Sequence, residues 1–384
     1  MVKWIGGVVL ALAALGAGYF FLVAPSSVDD KLNAVIPHEA YKISDAAKTL
    51  HATIPVADLH ADTLLWARDP ARRHKRGHTD APRLIEGGVR LQVFTAVTKS
   101  PPGQNYEENE ADKDQLTQLM VAQRWPVRTW GSLFGRALYQ AARLRELEKM
   151  SNGAVRMTLN RADLQAAIDN NQLAGVYGIE GAHPLEGDIG NLDRLYDAGL
   201  RVIGLQHFFD NALGGSLHGM SNQGLTDFGR AVVAAAEEKQ MIVDVAHSSE
   251  ATVRDVLAMT TRPVIVSHTG LKGHCDSARN ISDDLMVEIA DAGGLIGVGY
   301  WDGAVCEPTM ENIAAAIHYA VGLVGAGHVA LGSDFDGSTT VPFDASELPA
   351  LTQALMDEGL DDETIRAVMG ENAVRFFLEN LPQN

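Results

Sequence analysis

The stretch Val56-Ala57-Asp58-Leu59-His60-Ala61-Asp62 places a short apolar run directly before closely spaced polar side chains. Seven more runs rich in aliphatic residues follow it, and the eight predicted strands are 56–60, 90–97, 173–180, 201–207, 241–247, 263–268, 295–301 and 329–335. Continuous apolar strands separated by helical patterns are typical of parallel strands buried on both faces. Eight such units predict an α/β fold of the (β/α)8 TIM-barrel class, with a doubly wound open sheet as the alternative.

The composition limits the class of protein. The chain has 384 residues, of which 31 are Lys or Arg and 49 are Asp or Glu, so its net charge is −18. Because phosphate binding needs clustered positive charge, we expect no nucleic-acid partner. A hydrophobic content of 46% is enough to bury a core. Two cysteines are too few for a disulfide-framed small fold or a cysteine-rich zinc module.

The N-terminus carries one apolar segment. Residues 4–23 contain no charged side chain and follow Lys3, and a helix of that length spans about 30 Å, the thickness of a bilayer core. Residues 1–24 therefore predict a transmembrane anchor or uncleaved signal, with a cleaved signal peptide as the alternative. Since the positive end stays in the cytoplasm, the rest of the chain is expected outside it, in a periplasmic or extracellular location.

The remaining chain is predicted to form one domain. Residues 25–50 are interpreted as a tether and a helix leading into the barrel, and residues 51–384 as the barrel itself. The long spacer 98–172 predicts a helical insertion over one end of the barrel. The tail 347–381 has a helical pattern and is expected to close the fold.

Polar side chains stand at or just after most of the predicted strands. They are His60, Asp62, Glu180, His207, His247, His268 and Asp334. Barrel enzymes build their sites at the carboxyl ends of the strands, where these side chains are expected to meet. Each alone is a weak signal, but so many buried charges would be costly without a cation. Mixed imidazole and carboxylate donors favour zinc or a similar metal, and their number suggests two ions.

Two metals about 3.5–4 Å apart can hold a hydroxide between them. Such a hydroxide is a nucleophile at neutral pH and suits an amide or ester carbonyl. A remaining carboxylate would serve as base, and a remaining histidine would stabilise the oxyanion.

Several segments in matching order resemble the membrane (renal-type) dipeptidases, a family of zinc hydrolases related to the amidohydrolases. The resemblance runs from about residue 54 to residues 370–372, and it rests on Asp58-Leu59-His60-Ala61-Asp62, Gly178-Ile179-Glu180-Gly181, His207-Phe208-Phe209-Asp210-Asn211, Asp244-Val245-Ala246-His247-Ser248, Val266-Ser267-His268, Arg279-Asn280 and Gly332-Ser333-Asp334-Phe335-Asp336-Gly337. A His-x-Asp on strand 1, a Glu on strand 3, and His on strands 5 and 6 are the discriminating part.

The resemblance implies two Zn²⁺ ions per chain. His60 and Asp62 would hold the first zinc, His247 and His268 would complete the second, and Glu180 would bridge both. The activity implied is hydrolysis of dipeptides with a free C-terminal carboxylate, including C-terminal D-residues, by a metal-bridging hydroxide.

The same resemblance assigns three further roles. Asp334 would contact the metal-bound water and act as acid and base, and His207 would polarise the scissile carbonyl. Arg279 would bind the terminal carboxylate of the substrate, which a guanidinium fork fits bidentately. Asp336 is interpreted as a turn or supporting residue rather than a ligand.

The family also bears on the cysteines and on assembly. Cys275 and Cys306 follow predicted strands 6 and 7, and the resemblance implies a disulfide between them, with two free thiols as the alternative. Dimers occur in the family, so a homodimer is compatible with the resemblance.

Three other functions stay open from the residues. A lactonase or phosphotriesterase relative typically has His-x-His on strand 1 and a carboxylated Lys on strand 4, where this chain has His60-Ala61-Asp62 and His207. A mononuclear deaminase needs fewer ligands than the chain offers. A non-catalytic, metal-stabilised surface receptor would not need the acid/base and oxyanion candidates.

Overall fold

The parallel barrel is the centre of the fold. The computed structural model describes residues 2–383. The strands are β1 (Val56–Ala61), β2 (Val89–Phe94), β3 (Val155–Met157), β4 (Leu173–Ile179), β5 (Leu200–Gly204), β6 (Ile242–Asp244), β7 (Ile265–Thr269), β8 (Leu295–Val298) and β9 (Val329–Leu331). Neighbours run β2-β1-β9-β8-β7-β6-β5-β4, and β4 pairs back onto β2, which closes the ring. The predicted (β/α)8 barrel is thereby confirmed.

The short strand β3 was not predicted. Its three residues pair with the first residues of β4, from Val155 opposite Leu173 to Met157 opposite Gly175. It therefore lies at the amino-terminal end of the barrel and outside the ring. A strand of this length has no room for the alternation or long apolar run by which a sequence reveals a strand.

The barrel interior is filled by aliphatic side chains from all eight ring strands and closed below by the last helix. The cluster includes Ala57, Leu59, Leu91, Val93, Ala174, Val176, Val202, Ile242, Ile265, Leu295, Ala330, Phe376 and Phe377. The two phenylalanines come from the C-terminal helix, so the tail closes one end of the barrel, as predicted. The opposite end, with the carboxyl ends of the strands, is left for polar side chains.

Sixteen α-helices are present in the described residues. They are α1 (Val2–Leu22), α2 (Ala24–Leu32), α3 (Asp45–His51), α4 (Ala81–Glu86), α5 (Leu116–Ala122), α6 (Leu133–Met150), α7 (Arg161–Asp169), α8 (Gly190–Asp197), α9 (Asp227–Glu238), α10 (Glu250–Met259), α11 (Asp283–Asp291), α12 (Asp302–Val305), α13 (Met310–Val324), α14 (Leu348–Asp357), α15 (Asp362–Arg366) and α16 (Asn372–Asn380). Serine, threonine, aspartate and asparagine caps begin many of them, such as Ser132 before α6 and Thr226 before α9.

The insertion between β2 and β4 packs against two parts of the barrel. Helix α6 packs against β4, where the Tyr177 hydroxyl donates a hydrogen bond to the Ala137 carbonyl at 2.7 Å. The loop before α5 and α5 itself lie over the carboxyl end of the barrel. Helix α6 also reaches this end, since Arg143 donates to the carbonyl oxygens of Trp66 (2.6 Å) and Arg68 (2.8 Å) in the loop after β1.

The N-terminal helix α1 is exposed and apolar. Residues Trp4–Leu22 have a mean hydropathy of 2.1 and no part of this stretch is buried against the protein. The helix is long and apolar enough to cross a membrane, and a signal sequence has the same properties.

A disulfide joins two loops at the carboxyl end of the barrel. Cys275 follows β7 and Cys306 follows α12, and their Cα atoms are 5.6 Å apart in the bonded pair. The Asn280 side chain donates to the carbonyl oxygens of Cys275 (2.8 Å) and Ala304 (2.9 Å), so both loops are also held by hydrogen bonds. The disulfide implied by the family resemblance is present.

Replacing both cysteines by alanine should lower the stability of the fold. The bond closes a loop with a sequence separation of 31 residues, for which chain entropy gives on the order of 3 kcal/mol. Guanidinium unfolding of the double variant and of the oxidised wild type would measure the difference. Equal midpoints for the two proteins, with the disulfide verified by thiol titration, would contradict this expectation.

Candidate metal centre

Seven predicted side chains converge at the carboxyl end of the barrel. His60 and His268 lie on β1 and β7, while Glu180 follows β4 directly. His207, His247 and Asp334 come three residues after β5, β6 and β9, so the predicted strands were too long there. The donor atoms form three triads with all separations within 4.8 Å: His60, His268 and Asp334; Glu180, His207 and His247; and His60, Asp62 and Glu180.

The Glu180 carboxylate lies at the middle of this cluster. Its Oε1 atom is 3.1 Å from Nε2 of His247, 3.3 Å from Nε2 of His268 and 3.6 Å from Nε2 of His60. Its Oε2 atom is 3.4 Å from Nε2 of His207. One carboxylate therefore faces four imidazoles, so an ion bound near it would have both oxygen and nitrogen donors within reach.

A tight turn puts Glu180 in this position. Gly181, the next residue, has a φ of +79°, which favours glycine. A Cβ atom added there would lie 2.3 Å from the ring of His183 and 3.2 Å from Cβ of His207. Because residue 181 has no side chain, His183 and His207 can lie close to the turn that carries Glu180.

The His60 ring shows that these donors fit a cation. Its Nε2 atom is buried and makes no hydrogen bond to any residue within 2–383. It lies 3.8 Å from Oδ1 of Asp62 and 3.9 Å from Oδ1 of Asp334, too far for hydrogen bonds but suited to a shared ion. An imidazole nitrogen among carboxylate oxygens is a donor set typical of zinc and similar metals.

Neighbouring hydroxyls orient the candidate ligands. The Ser267 hydroxyl lies 3.1 Å from Nδ1 of His60 and 3.0 Å from Nδ1 of His268, so each ring presents Nε2 to the cluster. The Thr95 hydroxyl donates to Oδ1 of Asp62 at 2.7 Å. Such supporting hydrogen bonds fix the orientation of metal ligands.

The protein environment disfavours negative charge on the carboxyl groups of the cluster. Burial raises the pKa of Asp62 to about 8, against a lowering by the Thr95 hydrogen bond. Burial and the neighbouring charges of Asp62 and Asp334 raise the pKa of Glu180 well above its ordinary value. Burial and Asp62 do the same to the pKa of Asp334. Bound cations would offset this repulsion.

The histidines are kept neutral. Burial, then nearby positive groups, lowers the pKa of His60, His247 and His268 well below the ordinary histidine value. Burial also lowers the pKa of His207 to about 3. Neutral imidazole is the form that ligates a metal, so these rings have the protonation state that a metal site needs.

Two of the site residues have uncommon backbone geometry. His247 has a φ of +61° and Asp334 a φ of +56°, in the left-handed region that residues other than glycine seldom adopt. Strained backbone of this kind clusters at functional sites and persists only where the surroundings enforce it. The loops after β6 and β9 therefore turn sharply to place these two side chains.

Arg279 lies beside the cluster in a buried setting. Its Nη2 atom donates to the His268 carbonyl at 2.9 Å and lies 3.4 Å from Nε2 of His247. Its guanidinium carbon is 5.3 Å from the centre of the Trp301 ring. The Nη1 atom is buried without a hydrogen-bond partner in residues 2–383, so this side chain has donors available for a ligand.

Asp336 serves a different purpose from Asp334. Its carboxylate pairs with Nη2 of Arg68 at 2.7 Å and accepts hydrogen bonds from the His78 amide (2.7 Å) and the Thr79 hydroxyl (2.6 Å). Burial would raise its pKa, but these partners outweigh burial and lower it to about 2. The interpretation of Asp336 as a supporting residue agrees with these contacts.

A cavity of about 630 Å³ opens onto the cluster. Asp62, Glu180, His207, His247 and Asp334 line it, together with Arg279. Its volume falls in the range of small-molecule sites, roughly 300–1,000 Å³. Polar groups thus converge at one end of a pocket that is large enough for a peptide substrate.

Several residues at the cavity were not identified from the sequence. Tyr106, in the insertion, accepts a hydrogen bond from Nε1 of Trp301 at 3.0 Å, and Phe208 stacks on His218. Helix α2 also lines the cavity with Pro25, among other residues. Contacts between residues so far apart in the chain leave no local pattern, although the insertion itself was expected to lie over one end of the barrel.

Comparison with known proteins agrees with this geometry. A sequence model of the membrane dipeptidase family, peptidase family M19, matches residues 44–381. A Klebsiella pneumoniae protein, described as uncharacterized and in the pqqA 5′ region, is 30% identical over 259 residues, covering 64% of this chain and 95% of that protein.

Two solved structures have a similar fold. Dipeptidase AC, a metallopeptidase of family M19, has a TM-score of 0.70 and 25% identity over 86% of this chain and 100% of its own. A Rhodobacter sphaeroides metallopeptidase, determined with a phosphinate mimic of the dipeptide L-Ala-D-Ala, has a TM-score of 0.70 and 24% identity over 86% of this chain and 99% of its own.

The fold and the family match define a barrel metallopeptidase. The chain belongs to the membrane dipeptidase family, peptidase family M19. The family resemblance of its strand-end motifs is thereby confirmed.

Glu180→Gln should reduce the metal bound per chain by half or more, because an amide removes the negative charge from the centre of the donor cluster. Metal analysis of dialysed protein would measure this loss. The matched control is Asp336→Asn, whose carboxylate pairs with Arg68 instead and whose folded fraction should keep its metal. Full metal content in Glu180→Gln would count against a central role for this carboxylate.

Proposed function

We propose that this protein is a binuclear zinc dipeptidase that hydrolyses dipeptides with a free C-terminal carboxylate. The observation that carries the proposal is the position of Glu180, whose carboxylate faces imidazoles from four other strands or their loops. A single metal would leave part of this donor set, and its buried charge, without a partner.

Two groups of residues would hold the ions. His60 and Asp62 would hold one, His247 and His268 the other, and Glu180 would serve both. Zinc suits the mixture of nitrogen and oxygen donors. When bound, the pair of ions would supply a nucleophilic hydroxide at neutral pH and polarise the scissile carbonyl.

The chain's own residues would carry the proton and orient the substrate. Asp334, with a raised pKa, would take a proton from the attacking water and deliver it to the leaving amine, as a general acid and base does. His207 lies on the cavity wall and would stabilise negative charge on the carbonyl oxygen.

Arg279 would select the free C-terminus. Its unpartnered Nη1 donor and its place on the cavity wall support binding of a carboxylate at this residue. A guanidinium binds a carboxylate whichever configuration the adjacent carbon has. Acceptance of C-terminal D-residues is therefore part of the proposal.

The proposal places the enzyme on a membrane. Helix α1 would anchor the chain through residues 4–23, with the barrel outside the cytoplasm. The disulfide between Cys275 and Cys306 supports an oxidising location.

His207→Ala should lower kcat for Leu-Gly by about 10²–10³-fold, the usual cost of removing one oxyanion donor. Its zinc content should stay at the wild-type level, since the proposal gives this ring no metal to hold. His318→Ala, on an exposed part of α13, is the matched control. Loss of zinc from His207→Ala would reassign the ring as a ligand, and unchanged kcat would remove it from catalysis.

Arg279→Lys should abolish the preference for a free C-terminus. Lysine keeps the charge but loses the planar fork that fits a carboxylate. We expect kcat/KM for Leu-Gly to fall by about 100-fold, while the low rate on Leu-Gly amide changes little. Kinetics on the two substrates would test this. An equal loss of kcat/KM on both would show that Arg279 maintains the structure of the site and does not bind the substrate carboxylate.

A further inference from the structure

The cavity wall includes a helix that lies outside the family-matched region. The match to the membrane dipeptidases begins at residue 44, yet α2 (Ala24–Leu32) contributes Pro25, Val28 and Leu32 to the cavity that holds the metal cluster. This wall is therefore an addition of this chain to the matched part of the fold.

A buried carboxylate fixes α2 in place. Asp29 is 2% exposed, and its Oδ2 atom lies 2.9 Å from Nε of Arg68 and 3.0 Å from Nε of Arg76. Its Oδ1 atom accepts a hydrogen bond from the Asn33 side chain at 2.9 Å. Because removing one partner of a buried ion pair is costly, the position of the helix is strongly specified.

The same network reaches the loop that carries Asp334. Nη2 of Arg68 pairs with the Asp336 carboxylate at 2.7 Å. Oδ1 of Asn33 accepts a hydrogen bond from the Ser338 amide at 2.9 Å. The chain after α2 then runs beside this loop, where the Ile36 amide donates to the Val341 carbonyl at 2.8 Å. Helix α2 is thus attached to the active-site loop after β9.

Apolar residues beside α2 line the same part of the cavity. Leu65 and Trp66 follow β1, and Leu116 belongs to α5; they form one buried cluster against which Val28 packs. Leu119 of α5 and Leu32 of α2 also line the cavity. This part of the cavity, between α2 and α5, is called here the apolar compartment.

The apolar compartment and Arg279 lie at different positions around the barrel, since β7 is two strands from β9 and three from β1 in the ring. Arg279 follows β7 and contacts His247 and His268, whereas α2 is attached to the loops after β1 and β9. A dipeptide whose carboxylate is bound by Arg279 and whose amide bond lies at the metals extends its amino-terminal residue away from Arg279.

We propose that the apolar compartment receives the side chain of the substrate's amino-terminal residue and makes large apolar residues the preferred class there. The inference rests on the proposed function. It assigns Val28 and Leu32 as specificity-determining residues and Asp29 as a positioning residue that holds their helix. The cavity volume of about 630 Å³ supports it, since Gly-Gly is far smaller than the ligands such cavities hold.

The test compares Phe-Gly with Gly-Gly on full-length, zinc-loaded enzyme in detergent. Wild type should show a kcat/KM ratio of at least about 100 in favour of Phe-Gly, because each carbon buried in an apolar pocket adds a several-fold preference. The double variant Val28→Ser/Leu32→Ser should lower that ratio by about ten-fold or more, through a higher KM for Phe-Gly.

The matched control is Val23→Ser, which alters an apolar residue just before α2 that is 44% exposed and absent from the cavity lining. It should leave the ratio at the wild-type value. Asp29→Asn, which keeps the shape but removes the charge, should lower the Phe-Gly preference without loss of zinc.

A second measurement does not depend on turnover. Dissociation constants of phosphinate dipeptide mimics with amino-terminal Phe or Ala side chains, measured by calorimetry, should differ by about ten-fold or more in wild type and converge in Val28→Ser/Leu32→Ser. A wild type that hydrolyses dipeptides without preferring Phe-Gly, or a double variant that loses both substrates equally, would overturn the inference. A wild type that hydrolyses no dipeptide would instead overturn the proposed function.

Discussion

The concentration of buried negative charge around Glu180 is the constraint on which the rest of the site depends. Three carboxyl groups whose pKa values are raised share a few ångströms with four neutral imidazoles, and Arg279 is the nearest fixed cation. Isolated charges of this kind are expensive to bury, so these carboxyl groups hold protons unless cations balance their charge. The formal charge of −18 for the whole chain overstates the negative charge of a metal-loaded protein.

A rigid frame is needed to hold those groups together. The barrel supplies it, because its interior is filled by aliphatic side chains from every ring strand and closed by α16. The loops above the frame then provide the fine placement. His247 and Asp334 adopt left-handed backbone geometry, and Ser267 fixes two imidazole rings at once. Packing below the site thus maintains the strained loops that form it.

Most of the barrel and the whole donor cluster were predictable, because both depend on patterns within short segments of the sequence. Each ring strand is an apolar run, and each donor lies near the end of such a run or within a few residues after it, so topology brings them together. What could not be predicted depends on distant partners. The strand β3 is too short to have a pattern. Tyr106 and Trp301 meet across 195 residues of sequence. Asp29 looks like an ordinary exposed helix residue until the fold places Arg68 and Arg76 beside it.

The contact of Asp29 with Arg68 links helix α2 to the loop after β9. One arginine, Arg68, lies between Asp29 on α2 and Asp336, and it is 2% exposed. Asp336 is two residues from Asp334, in a loop whose backbone is already strained. A displacement of α2 would separate Asp29 from Arg68 and leave a buried charge unpaired. The free-energy cost of that unpaired charge favours one position of the helix. The segment that follows the apolar N-terminal helix is therefore held by buried charges against the loop that carries Asp334.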